Sequence, residues 1–150
     1  MNSMKHFFYL YIIILSLFFV SCSDDSKLLE KKFLENNIEK LGMVTNYNYI
    51  MILPGVGCHG CIQDGEFYMK KNVTRKDILF IVTKVSSMKI LQQKLGFDLK
   101  SHTNIFVDRD NIFDIPSENS IYPCVIELKN GKIINYAFQS PKSNAFNLLK

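Results

Sequence analysis

Two cysteines separated by two residues, in Cys58-His59-Gly60-Cys61, are the side chains of this sequence best spaced to do chemistry together. A disulfide between them closes too small a loop to stabilise a fold by much, because cross-link stabilisation grows with the loop closed. The pair therefore suits thiol–disulfide exchange or metal binding better than architecture. It lies between an apolar, β-prone run and a segment able to form a helix. That context places Cys58 at a helix N-terminus, where unpaired backbone N–H groups and the positive end of the helix dipole favour the thiolate. Thiols so placed have pKa values of roughly 3.5 to 7.5, against about 8.5 for a free cysteine. Cys58 is then the nucleophile. Cys61, one turn further on, is the thiol that resolves a mixed disulfide. A protonated His59 would stabilise the Cys58 thiolate and make the dithiol more oxidising; its plainer role is that of a solvent-facing residue.

Other candidate ligands are sparse. A zinc site needs two further donors, and Cys124 and His102 are the obvious soft ones, with no second Cys-x-x-Cys in the chain. Asp108, Asp110 and Asp114 invite a calcium reading, but the loop glycine and closing Glu of a calcium hand are missing, so they read as a turn. No metal and no cofactor is expected. Cys124 reads as a small apolar strand residue, with a third redox thiol as the sharper alternative, and His102 as an exposed loop residue.

The elements that must position the pair follow from periodicity and turn signals. Residues 26–41 carry an apolar stripe, Leu28, Leu29, Phe33, Leu34, Ile38 and Leu41, with Ser26 able to cap the helix and Gly42 to end it. Residues 47–53 form a strand stopped by Pro54-Gly55, and residues 62–71 a helix. Within 77–83 the run ILFIV reads as a strand covered on both faces. Ser86 or Ser87 caps a helix to Leu95, ended by Gly96, and 104–107 is a brief strand. Strands over 122–128 and 132–138 flank Asn130-Gly131, a strong hairpin signal, and Pro141 can start a last helix to the chain end. Helices alternating with strands before an antiparallel hairpin give one α/β domain with a mixed central sheet and helices on both faces.

These features together resemble the thioredoxin fold: Cys-x-x-Cys after the strand MILPGVG, then Tyr122-Pro123 opening a strand that turns back through Asn130-Gly131-Lys132. The resemblance covers about residues 45 to 150, and the leading helix fits it. It implies that Pro123 is a cis-proline facing the cysteine pair and that Tyr122 lines a substrate groove. The chain departs from thioredoxins proper in three ways. It has Gly57 where they have Trp before the motif, and His59-Gly60 where they have Gly-Pro. Ile52 stands where they bury a carboxylate. The connection from Asp108 to Pro123 is short beside that of larger membrane-anchored members, which implies that no extra specificity insert is present.

The N-terminus bears on location. Lys5 and His6 precede residues 7–20, which are almost wholly apolar, and Ser21-Cys22 follows. That is the layout of a secretory signal. The apolar run is short for a transmembrane anchor, which needs roughly 20 residues. Phe19-Val20-Ser21-Cys22 is similar to the lipobox of bacterial lipoproteins, with Phe19 in place of the usual Leu. This implies cleavage after residue 21, acylation of Cys22 and stable anchoring by several chains. Residues 1–21 are then a signal peptide, 22–26 a lipidated tether and 27–150 the domain. Ser23-Asp24-Asp25 resembles a surface-export tag and does not resemble an inner-membrane retention signal; a solvated linker is the alternative. The expected location is the cell envelope, anchored at either face of the outer membrane.

The chain of 150 residues carries 18 basic and 14 acidic side chains, a small and scattered surplus that excludes nucleic acid as a natural partner. The expected function is thiol–disulfide exchange with other exported proteins that carry cysteines or disulfides. The alternatives are a non-catalytic lipoprotein using the same scaffold to bind a partner, or a metal carrier.

Overall fold

The computed structural model describes residues 23–42 and 44–149. The expected signal peptide, residues 1–21, and the expected acylation site, Cys22, lie outside the described residues. The helix α1 (Ser23–Lys40) starts three residues before Ser26, so residues 23–26 of the segment read as a tether form its first turn. Asp25 there is favourable to the positive end of the helix dipole. Strand β1 (Tyr49–Pro54) leads into α2 (His59–Asn72), then β2 (Ile78–Thr83), α3 (Met88–Leu95) and β3 (Ile105–Asp108). The chain closes with β4 (Cys124–Lys129) and β5 (Lys132–Phe138).

The sheet order is β3-β2-β1-β4-β5. β1 pairs parallel with β2, and β2 with β3; β4 runs antiparallel to both β1 and β5. Every residue of β2 is buried, which a strand covered on both faces requires. Alternation sorts the side chains: Ile50, Ile52, Leu79, Ile81 and Ile126 face Leu34 and Ile38 of α1. Met51, Leu53, Phe80 and Val82 face Ile62 and Met69 of α2 and Leu91 and Leu95 of α3. The result is a thioredoxin-like α/β fold with helices on both faces. Phe113 and Ile115, from the connection between β3 and β4, complete the α1 side.

Asn130 and Gly131 take φ of 53° and 74°, the paired positive values of a tight hairpin turn. Two expectations fail. The stripe of α1 is narrower than the sequence indicated: Leu28 and Leu29 are about half exposed, while Glu30 takes the inward position one turn before Leu34. The helix expected from Pro141 is only a 3-10 turn over Ala145–Leu148. Asn144 competes with helix formation there, its side chain accepting from the Phe146 N–H at 3.1 Å. The segment is held instead by packing and polar clasps. Phe146 stacks on Tyr68 with ring centroids 4.9 Å apart, and the Gln139 side-chain oxygen accepts the Ala145 N–H at 3.0 Å.

Candidate redox site

β1 delivers the chain to Gly55, whose N–H donates to the Thr83 carbonyl at 2.8 Å, continuing the parallel ladder by one bond. Gly57 then turns with φ of 148°, a conformation open to glycine. A side chain is excluded there for a second reason: a Cβ on Gly57 would lie 2.7 Å from the Ile121 Cα. Cys58 follows in an extended conformation, φ −65° and ψ 102°, as the residue flanking the start of α2. Its carbonyl accepts the Ile62 N–H at 2.9 Å, the first bond of the helix.

Cys58 and Cys61 are joined in a disulfide with Cα atoms 5.4 Å apart, well inside the range such bridges need. Cys58 is half-buried, and Cys61 is only 5% exposed. His59 and Gly60 lie on the outside of the turn. Any thiolate formed at Cys58 sits beside the unpaired N–H groups of the first helical turn, which favour negative charge. One sulfur accessible from outside, one shielded behind it and a helix dipole aimed at the first give the arrangement a direction: an incoming group meets Cys58 before Cys61.

The segment before β4 packs against this turn, though not as the resemblance implied. No peptide bond among the described residues is cis, so the Tyr122–Pro123 bond is trans. Trans is the intrinsically favoured isomer of X–Pro by about 0.5–1 kcal/mol, and Tyr122 adopts the extended backbone that a following proline imposes. Pro123 is buried against the second turn of α2: a Cβ on Gly65 would lie 3.2 Å from its Cγ. Tyr122 is half-buried, and its N–H donates to the Asn119 carbonyl at 3.0 Å, inside the 3-10 turn Glu118–Ile121. Contact with the motif is made one residue earlier. The Cys58 N–H donates to the Ile121 carbonyl at 3.0 Å. No sequence signal pointed to Ile121.

Ile52, at the position of the thioredoxin carboxylate, sits in the apolar core beside its strand partner Cys124. Cys124 is fully buried with a free thiol, and burial, then the charge of Glu30, pushes that thiol well above the ordinary cysteine value. It is inert as a nucleophile in the folded chain. His102 is half-buried, its ring edge-on to Phe97 with centroids 4.8 Å apart. Asp108 is buried, with both carboxylate oxygens engaged. Thr83 Oγ1 donates to it at 2.8 Å, and the N–H groups of Ile112 and Phe113 at 3.0 and 2.9 Å. It organises the turn that begins at Arg109. Among the described residues no group of three or more His, Cys, Asp or Glu side chains could hold a metal ion. Compared with protein-family models, curated proteins and solved structures, the chain matches none of them.

Proposed function

We propose that this protein is a lipid-anchored thiol–disulfide oxidoreductase of the bacterial envelope that exchanges disulfides with other exported proteins. The observation that carries the reading is the Cys58–Cys61 disulfide at the start of α2, half-open at the first sulfur and closed at the second. In the reducing direction the Cys58 thiolate attacks a partner disulfide, forms a mixed disulfide and expels one partner thiolate. Cys61, as its thiolate, then attacks the Cys58 sulfur, closes the intramolecular disulfide and expels the second. Two electrons pass to the partner, and the reverse sequence oxidises a partner dithiol. His59 borders the attacking sulfur, and half-buried Tyr122, backed by the buried Pro123, is the residue of that pair a partner could meet. The leader and Cys22 support placement in the envelope, where disulfides persist. The test is a Cys61→Ser variant expressed in cells. It is expected to retain an exported protein on Cys58 through a bond that reductant releases. No such adduct from a folded variant overturns the proposal.

One observation favours a second reading, a binding module in which the disulfide is permanent. With Ile52 in place of a buried acid, the thioredoxin route for moving the Cys61 proton is missing. A reduction potential below about −300 mV would mark the pair as structural. A potential above about −250 mV would support exchange.

A further inference from the structure

Glu30 is a charged residue on the inward face of α1, only 2% exposed, and the carboxylate is fully engaged. Its Oε1 accepts from Ser117 Oγ at 2.6 Å and from Asn119 Nδ2 at 2.8 Å, and its Oε2 from the Tyr136 hydroxyl at 3.2 Å. Ser117 and Asn119 are the residues that start the 3-10 turn Glu118–Ile121. Ser117 Oγ also accepts the Asn119 N–H at 3.2 Å, and the Asn119 carbonyl accepts the Tyr122 N–H at 3.0 Å. The same turn ends on Ile121, whose carbonyl holds the Cys58 N–H. A continuous run of hydrogen bonds and peptide links therefore leads from the second turn of α1 to the backbone of Cys58, the more accessible cysteine.

We propose that Glu30 is a positioning residue for the Cys58–Cys61 pair: by clamping Ser117 and Asn119 it fixes Ile121 against Cys58 and sets the dithiol–disulfide equilibrium. The physical basis is preorganisation. Ring closure between two thiols is favoured when the backbone already holds them within disulfide range, because less freedom is lost on closing. The α2 ladder engages only the carbonyl of Cys58, at 2.9 Å from the Ile62 N–H, so the conformation on its N–H side depends on what holds that group. Releasing Ile121 frees Cys58 and weakens the disulfide relative to the dithiol. Tyr136 bonds to the other oxygen of the same carboxylate and to the Lys27 carbonyl at 3.0 Å, but not to the turn, so it separates this role from general support of α1.

The inference deepens the exchange reading and rests on it, yet its readout is independent of any cellular partner. The full chain, purified in detergent, is equilibrated with glutathione, where protein disulfide plus two glutathione gives protein dithiol plus glutathione disulfide. Glu30→Ala is expected to move this equilibrium about tenfold toward the dithiol, about 30 mV for a two-electron couple. Glu30→Gln keeps an oxygen for Ser117 and Asn119 and is expected to stay within about threefold of the parent, less than about 15 mV. The double variant Ser117→Ala with Asn119→Ala leaves the carboxylate in place and is expected to shift as Glu30→Ala does. It carries the test alone if Glu30→Ala does not fold. Tyr136→Phe is expected to lower the melting temperature and leave the equilibrium unmoved. An unmoved equilibrium in the double variant, or a Tyr136→Phe shift as large as that of Glu30→Ala, overturns the proposal. Failure of the exchange reading shows separately, as a Cys61→Ser chain that traps no partner while the potentials still follow this pattern.

Discussion

The N–H of Cys58 points at the carbonyl oxygen of Ile121, 3.0 Å away, across the gap between the β1–α2 turn and the turn that precedes β4. This bond is the meeting point of three segments far apart in sequence. The cysteine motif supplies the donor, the 3-10 turn supplies the acceptor, and α1 holds that turn through Glu30. The fit at the meeting point is close enough to exclude a methyl group at Gly57.

Gly57→Ala combines a positive φ that disfavours a side chain with a Cβ 2.7 Å from the Ile121 Cα. Strained conformations of this kind cost about 1–3 kcal/mol. The variant is expected to lose stability by about that much in urea unfolding, and to reduce faster with dithiothreitol because Ile121 no longer seats on Cys58. Unchanged stability and reduction rate would show that the turn yields without consequence.

Much of the scaffold was legible in the sequence, and the reasons are local. The run ILFIV has no surface it could expose, and Asn130-Gly131 carries its turn geometry in its own backbone preferences. Ser87 and Gly96 cap α3 as their residue types dictate: the Ser87 hydroxyl accepts the Ile90 N–H, and Gly96 has φ of 81°. What escaped the sequence depends on distant partners. Glu30 is one charged residue within an apolar stripe, and only the arrival of Ser117, Asn119 and Tyr136 makes its burial favourable. Its position one turn before Leu34 was the available clue. Ile121 acts through a carbonyl, which every residue possesses, so residue type carried no information. The trans Tyr122–Pro123 bond is the isomer the dipeptide itself favours, and the cis expectation rested on the resemblance alone.

Asp108 is expected to be structural and indifferent to calcium. Both of its oxygens already accept hydrogen bonds, from Thr83 Oγ1 and from the N–H groups of Ile112 and Phe113. Asp108→Ala strands those donors, at about 1–3 kcal/mol for each group left buried and unpaired. A loss of about 3 kcal/mol in denaturant unfolding is the expected outcome. Millimolar calcium should leave the melting temperature of the parent chain where it was; a clear rise would reopen the acidic turn as an ion site.

The Arg75–Asp77 pair gives an acid-dependent increment of stability. Arg75 Nε and Nη2 donate to the two Asp77 oxygens at 3.0 and 2.6 Å, and Arg75 also reaches Tyr68 and the Leu149 carbonyl. The hydrogen bonds from Arg75 hold the Asp77 carboxyl below its ordinary value of 3.8. A carboxyl depressed in the folded state binds fewer protons there than in the unfolded chain. Its contribution is therefore present above pH 3.8 and fades as pH falls through the lower folded value. Both side chains are partly solvated, so Asp77→Asn is expected to cost about 1 kcal/mol or less at pH 7. The difference from the parent should shrink toward zero near pH 2. Equal losses at both pH values would show that the carboxylate charge is not what matters.

The cysteines should separate by reactivity in an order set by burial. In the folded chain, with Cys58 and Cys61 joined, Cys58 is half-buried at the helix terminus, Cys61 is 5% exposed behind it and Cys124 is fully enclosed; reduction is expected to keep that order of access. Alkylation requires a thiolate that the reagent can reach. Burial among apolar residues, together with the Glu30 charge, pushes the Cys124 thiol up, so it fails on both counts. Iodoacetamide added briefly at pH 7 should therefore label Cys58 first, Cys61 slowly and Cys124 not at all until denaturant is added. Peptide mass spectrometry reads each site directly. Raising the pH from 6 to 8 separates activation from simple access. A thiol whose pKa the helix terminus lowers to about 7 or below should gain no more than about tenfold in labelling rate across that interval. A free thiol of pKa about 8.5 would gain nearly a hundredfold over the same two units. A Cys58 rate that climbs like that of a free thiol would leave the site accessible but not activated, and the nucleophile assignment would fall with it.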